Sequence, residues 1–505
     1  MHVLELPLKT TKYDNYLLNR RFHAISHIHN VCVKYMKKRL GKLKFDKDYQ
    51  TYLQEYLVLK DKKTLKSIDK KRKNELSNLM KDIRISYGIS KSALHSYIKV
   101  CGKQYKNLIS SQQVQKEVTR VCNGVDKVLF SNGKDIHYKR FNDFNTIGQT
   151  SNLNGIKFDK ATLSIVWNKQ EISCKHIDKI LKSQYEMESL DNKISYCEIK
   201  RRMFNNGWHY YLLIYLDGDA PRKLHNVGSE TMGIDPGVST VACVSDTKVI
   251  LHELAPNAKH YEKKIAKLQQ SLEVSKRISN PNKYNEDGTY KKNNKDKWKF
   301  SNSYYKKRRQ LKTLYRKKSE YTSHSHNKMI NEMLSDSCNF IIESMNFKAL
   351  AKRSKKTERK SDITEIQCKD GSKKSIHKYK RKKRFGKSIG SRSPSLFMHR
   401  LEVKAIRYGG IVKYVDTMTM KASQYHHDTD EYVKTSLKER YKVINNNEVQ
   451  RDLYSAFLIK NADMNLQYVD RSKCIYGFDN FVRMHNELIA RMKQQGITMK
   501  QCFGF

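Results

Sequence analysis

The sequence predicts a multidomain α+β protein, and three observations predict it. Apolar residues recur at spacings of three and four early in the chain, alternate in a second stretch, and change between the two periods thereafter. An Asn-Gly step separates two alternating runs, which marks a hairpin. The 505 residues, 38% hydrophobic and with 31 Tyr, are enough for two to four domains with real cores.

The elements follow in order. Residues 1–12 read as one strand, Val3-Leu4-Glu5-Leu6-Pro7-Leu8. Residues 13–126 read as a basic helical domain, with Phe22, Ile25 and Cys32 on one face and many Lys and Arg between apolar positions. Residues 127–230 shift to strands, clearest in the run from Cys197 to Leu216 through Asn205-Asn206-Gly207. Trp208 and its tyrosine neighbours there are candidates to stack on bases, with core packing as the commoner role of such residues.

From residue 231 the chain reads as three strands, a long helical hairpin over 258–335, a further strand, and alternating helices and strands to the end. On the hairpin's second helix Lys306, Lys307, Arg308 and Arg309 form a candidate rail for phosphates, with a solvated face as the plainer reading. Residues 352–392 are basic and poor in apolar side chains, including Lys382, Lys383 and Arg384, and predict a flexible insertion that orders on nucleic acid. Helical patterning resumes over Ser395 to Tyr408, a strand follows at Ile411 to Val415, and Phe478 to Gln495 predicts a closing amphipathic helix.

Charge narrows the partner. The chain has 100 Lys plus Arg against 51 Asp plus Glu, a formal charge of +49 spread along its length. Such a field demands a polyanion, and nucleic acid is the default. No apolar run approaches a membrane span, and no N-terminal signal peptide is visible. The ten cysteines are scattered singly with no C-x-x-C, which predicts reduced thiols in a cytoplasmic protein.

Three carboxylates stand out. Asp235, in Met232-Gly233-Ile234-Asp235-Pro236-Gly237, ends a short strand before a tight turn, where a carboxylate is exposed yet rigidly held and suited to a divalent cation. Glu343 ends the apolar strand Asn339-Phe340-Ile341-Ile342-Glu343. Asp452, in Val449-Gln450-Arg451-Asp452-Leu453-Tyr454-Ser455-Ala456, opens a helix, an ordinary N-cap choice. Taken singly, each has a plain structural role: a turn, a strand end, a cap.

Together, these segments resemble the RuvC-like nuclease domain of the TnpB family, transposon-associated RNA-guided DNA endonucleases related to type V CRISPR effectors. The resemblance runs over nearly the whole chain and is densest from Gly233 to Asp452. It implies a RuvC/ribonuclease-H-like α/β nuclease domain over 231–505, a wedge β-barrel from residues 1–12 and 127–230, and a helical recognition lobe over 13–126. It also implies catalytic ligation of two Mg²⁺ ions by Asp235, Glu343 and Asp452, with a structured guide RNA and double-stranded target DNA as partners of a single chain. The alternative is an RNA-guided DNA-binding protein, a repressor or transposition accessory, that cuts little or not at all.

The sequence departs from the family at two places. Family members carry a four-cysteine zinc ribbon where residues 418–450 lie, but no Cys occurs between Cys368 and Cys474. His426 and His427 alone cannot complete a tetrahedral site, so a zinc-free remnant is expected. The third motif has Tyr454 where the family has Asn, which predicts the loss of a supporting hydrogen bond. Leu437-Lys438-Glu439-Arg440 resembles a family L-x-x-R, which implies that Arg440, with Arg451 beside Asp452, meets the scissile phosphate.

Overall fold

The chain divides into two compact units, Met1–Lys223 and Leu224–Phe505. The computed structural model describes residues 1–62, 66–131, 133–152, 154–222, 226–286, 288–291, 294–351, 359–367, 373–379, 385–434, 436 and 439–497.

The first unit opens with β1 (His2–Pro7), followed by helices α1 (Lys12–Leu43), α2 (Lys47–Asp61), α3 (Ser67–Ser86), α4 (Lys91–Gln104) and α5 (Ser111–Phe130). A capping box starts α1: the Asp14 N–H donates to the Thr11 hydroxyl, and the Thr11 N–H donates back to the Asp14 carboxylate. Strands β2 (Thr146–Gly148), β3 (Ile156–Asp159), β4 (Ser164–Trp167) and β5 (Gln170–Ser173) come next. Two short helices, α6 (Ile177–Leu181) and α7 (Gln184–Leu190), then precede β6 (Ile194–Phe204) and β7 (Gly207–Leu216). The β6–β7 hairpin turns on Asn205-Asn206, and Gly207, at φ 125°, begins the returning strand, one residue later than the Asn-Gly signal suggests.

The strands expected to close a barrel form two antiparallel sheets, β1-β7-β6-β2 and β3-β4-β5, linked by the Leu8–Cys174 bridge. Helix α1 packs onto these strands. Leu18, Phe22 and Ile25 of α1 share one core with Ile147, Trp167 and Leu212 of the strands. Burying a helical stripe against a half-apolar sheet removes more apolar surface from water than either achieves alone. Arg21 joins them, donating to Gln170 Oε1 at 2.7 Å and to the Trp167 carbonyl at 2.9 Å.

The second unit is built on a five-stranded sheet. Its strands β8 (Glu230–Pro236), β9 (Thr240–Val244) and β10 (Val249–Glu253) are antiparallel neighbours. Helices α8 (Ala258–Ser279) and α9 (Asn302–Leu334) form the expected hairpin and lead into β11 (Ser337–Glu343), which pairs parallel to β8. The short helix α10 (Phe347–Ala351) follows β11.

The region expected to be a flexible insertion holds paired strands β12 (Arg359–Gln367) and β13 (Lys373–Tyr379), then helix α11 (Gly386–Arg392). Main-chain hydrogen bonds hold such a pair, so a lack of apolar residues does not exclude it. Helix α12 (Pro394–Arg407) and β14 (Val412–Val415) complete the sheet in the order β10-β9-β8-β11-β14. Two small hairpins lie beyond helix α13 (Thr417–Met420): β15 (Tyr425–His426) with β16 (Glu431–Tyr432), and β17 (Tyr441–Ile444) with β18 (Asn447–Gln450). The chain ends on α14 (Arg451–Lys460) and α15 (Arg471–Gln494).

The sheet has a core on each face. Met232, Ile234, Phe340 and Ile342 pack with Ile330 of α9 and Leu401 of α12. Ala242, Val244 and Leu251 pack with Leu453 and Phe457 of α14 and Phe481 of α15. No helix among the described residues is long and apolar enough to cross a membrane.

Candidate active site

Strand alternation decides which way the acidic residues face. On β8, Met232 and Ile234 enter the core beneath α9 and α12, so Gly233 and Asp235 take the opposite face. Gly233 bears this out, because a Cβ there would stand 2.2 Å from the Ala456 carbonyl oxygen of α14. On β11, Phe340 and Ile342 share the first core, which puts Ile341 and Glu343 on the α14 face. Ile341 pairs with Gly233 and Ile342 with Ile234, so Glu343 leaves the sheet beside Asp235. Helix α14 begins on that same face, and Asp452 is its second residue.

Asp235 and Glu343 are hydrogen-bonded to each other. Burial pushes the Asp235 carboxyl well above its usual range, and the charges of Glu343 and Asp452 push it the same way against the opposing pull of Arg451. Burial also raises Glu343, while the hydrogen bond from Asp235 holds it down. Two carboxyl groups this close in one buried place oppose each other's ionisation.

Asp452 is not the helix cap. That role belongs to Gln450, whose Oε1 accepts from the Leu453 N–H at 2.5 Å, so the Asp452 carboxylate is left to other partners. Gln450 Nε2 donates to Asp452 Oδ2 at 3.1 Å, and the Arg451 guanidinium lies 3.3 Å from Oδ1. Arg440 Nη1 stands 4.0 Å from Oδ2, and the Arg440 carbonyl accepts from the Arg451 N–H at 3.0 Å. Among the described residues, no three His, Cys, Asp or Glu side chains stand as a ready metal cage.

Tyr454 bonds His427 and not Asp452. Its hydroxyl accepts from the His427 main-chain N–H at 3.1 Å and lies 2.8 Å from His427 Nδ1, all of it buried. The segment around His427 is thereby tied to α14. Lys442 is buried nearby, 5.5 Å from the Tyr454 ring, and burial with the neighbouring Arg451 brings its amine down to about 8.

A cavity of about 700 Å³ opens at Pro236 and Glu343 and runs past Asn346, His399 and Tyr414. Further along α9, Lys306, Arg308 and Arg309 are exposed, whereas Lys307 donates to Ser271 Oγ of α8 at 2.7 Å and serves the helical hairpin. In the first unit Trp208 is half-buried under the Arg201 guanidinium, 4.2 Å from its ring centre, so one face is already stacked. Lys382, Lys383 and Arg384 lie outside the described residues, as do Leu437 and Lys438.

Sequence reasoning missed Gln450, whose place just before an Arg-Asp helix start was its available signal. It also missed Arg392, whose partners come from elements distant in the chain.

No protein-family model matches the chain, and no curated protein does. Among solved structures, the chain is similar to one from a cryo-EM structure of the Cas12f1–sgRNA–target DNA complex. That match has 13% identity and a TM-score of 0.45, and covers 91% of this chain and 98% of that one. It is also similar to a chain from a cryo-EM structure of a CRISPR-Cas12f ternary complex, at 12% identity and a TM-score of 0.26, covering 91% of this chain and 99% of that one.

Proposed function

We propose that this protein is an RNA-guided DNA endonuclease that hydrolyses phosphodiesters at Asp235, Glu343 and Asp452. One observation carries the reading: two carboxylates leave adjacent parallel strands on one face of a sheet, and a third begins the helix on that face. A formal charge of +49 supports nucleic acid as the substrate class. The wider assignment, a structured guide RNA and double-stranded DNA bound by a single chain in the bacterial cytoplasm or nucleoid, rests on the resemblance of the acidic segments to TnpB proteins.

The three carboxylates are donors of the kind a hard divalent cation takes, and the cation would have to draw them together, since they do not stand as a ready cage among the described residues. Oxygen donors suit Mg²⁺, and a cation would relieve the mutual repulsion of the adjacent carboxylates Asp235 and Glu343. Bound at Asp235, Glu343 and Asp452, a pair of Mg²⁺ ions supplies an activated water and charge neutralisation at the leaving 3′ oxygen. The protein's own part is to hold the donors rigidly at strand and helix ends. Arg440 and Arg451 place planar, permanently charged groups beside Asp452, suited to a phosphate.

A second reading is a DNA-binding protein that cuts little or not at all. It is favoured by the occupied state of Asp452, already engaged by Gln450 and Arg451.

The test is to purify the protein with its RNA, sequence that RNA, and incubate the complex with Mg²⁺ and a plasmid library that matches the RNA's variable end beside randomised flanks. Selective loss of matching plasmids supports cleavage. Matching plasmids bound but intact support the second reading. Absence of a defined RNA contradicts guidance.

A further inference from the structure

A cleft of about 810 Å³ lies in the second unit, where α8, α9 and α11 meet. Five cations line it, Lys259, Lys263, Lys318, Lys387 and Arg392, against the single carboxylate of Glu262. Some of this charge is answered internally. Lys318 Nζ lies 3.0 Å from Glu262 Oε1, while Arg392 and Lys259 both reach Glu253 Oε1, the lysine at 3.5 Å. Lys263 and Lys387 have no ion pair among the described residues.

Arg392 adds a second, independent observation. It is only 4% exposed, and Nη1 donates to Ser388 Oγ at 3.1 Å, yet its buried Nε–H has no acceptor among the described residues. A buried donor without an acceptor costs free energy, and the permanent charge of Arg392 adds to the positive field of the cleft. Ser239 also lines the cleft, so the cleft starts at the turn that follows Asp235 and Pro236.

We propose that this cleft binds phosphodiester groups of a nucleic-acid backbone through Lys263 and Lys387, with the charge of Arg392 behind them. Its volume exceeds that of one phosphate. The inference rests on the nucleic-acid part of the proposed function and is independent of cleavage.

The experiment uses the full chain stripped of nucleic acid and kept in EDTA. The probes are a labelled single-stranded DNA 20-mer and an RNA of the same sequence. Binding is measured against salt for the wild type, for Lys263→Gln/Lys387→Gln, and for Lys264→Gln/Lys267→Gln on exposed positions of α8 that do not line the cleft, with melting curves to confirm folding. Each single-strand phosphate that a lysine no longer neutralises lowers the slope of log K against log salt by about 0.7, so the first variant should fall by about 1.4 and the second by less. A decrease confined to RNA assigns the cleft to the guide's backbone, and one confined to DNA assigns it to a DNA strand. Unchanged slopes, or equal decreases in both variants, overturn the proposal. If the wild type binds neither probe, the nucleic-acid reading fails and the inference falls with it.

Discussion

A β carbon on Gly233 would stand 2.2 Å from the carbonyl oxygen of Ala456 and 2.4 Å from the Lys460 backbone nitrogen. Helix α14 thus lies against β8 at a separation that only glycine permits, two strand positions before Asp235, and Asp452 is carried on that helix. Gly233→Ala is expected to lift α14 and move Asp452 away from the pair. Overpacking of this kind costs about 1–3 kcal/mol, occasionally more. The expected outcome is a lowered melting temperature and loss of cleavage with RNA binding retained; wild-type cleavage would contradict it.

Tyr454→Phe removes the hydroxyl that answers both the main-chain N–H and the ring of His427. With both groups buried, the variant should lose about 1–3 kcal/mol, measured by denaturant unfolding. Cleavage should fall far less than in Asp452→Ala, since Tyr454 bonds His427 whereas Asp452 belongs to the proposed acidic site.

His326 is completely buried, with Nε2 2.9 Å from the Arg392 carbonyl. Burial chiefly, with help from Arg400, brings its imidazole from 6.5 down to about 4. The unfolded chain therefore binds a proton between those values that the folded chain refuses. Stability from this group is complete above about pH 6.5 and is lost as pH falls towards 4, by about 3 kcal/mol at most. His326→Gln should flatten the unfolding free energy over that window relative to wild type, and an unchanged slope would refute the assignment.

The basic face of α9 separates by function. Lys306→Gln/Arg308→Gln/Arg309→Gln alters exposed groups and should weaken nucleic-acid binding, with a shallower salt dependence and an unchanged melting temperature. Lys307→Gln loses the bond to Ser271 and should lower melting temperature while leaving the salt slope nearly intact.

Much of this was legible in the chain. The alternation around Gly233-Ile234-Asp235 and Phe340-Ile341-Ile342-Glu343 fixes strand faces, and the three strands, helical hairpin and further strand that open the second unit follow from changes of period. The remainder depended on tertiary relationships that periodicity does not encode. Gln450 caps the helix in place of Asp452 because α14 begins at Arg451, which puts Gln450 at the cap and Asp452 inside the first turn. The pairing of β12 with β13 resides in main-chain groups common to all residues. The single core shared by α1 and the strands of the first unit joins Phe22 to residues nearly 200 positions away, such as Tyr210. The cations of the cleft lie at 259, 263, 318, 387 and 392, and only the fold collects them.

The most direct measurement is cleavage of a guide-matched plasmid in Mg²⁺ by wild type, Asp235→Ala, Glu343→Ala and Asp452→Ala, with RNA and DNA binding measured on the same preparations. The account predicts that each single substitution abolishes cleavage and leaves both binding activities close to wild type. Cleavage at the wild-type rate by any of the three would contradict it.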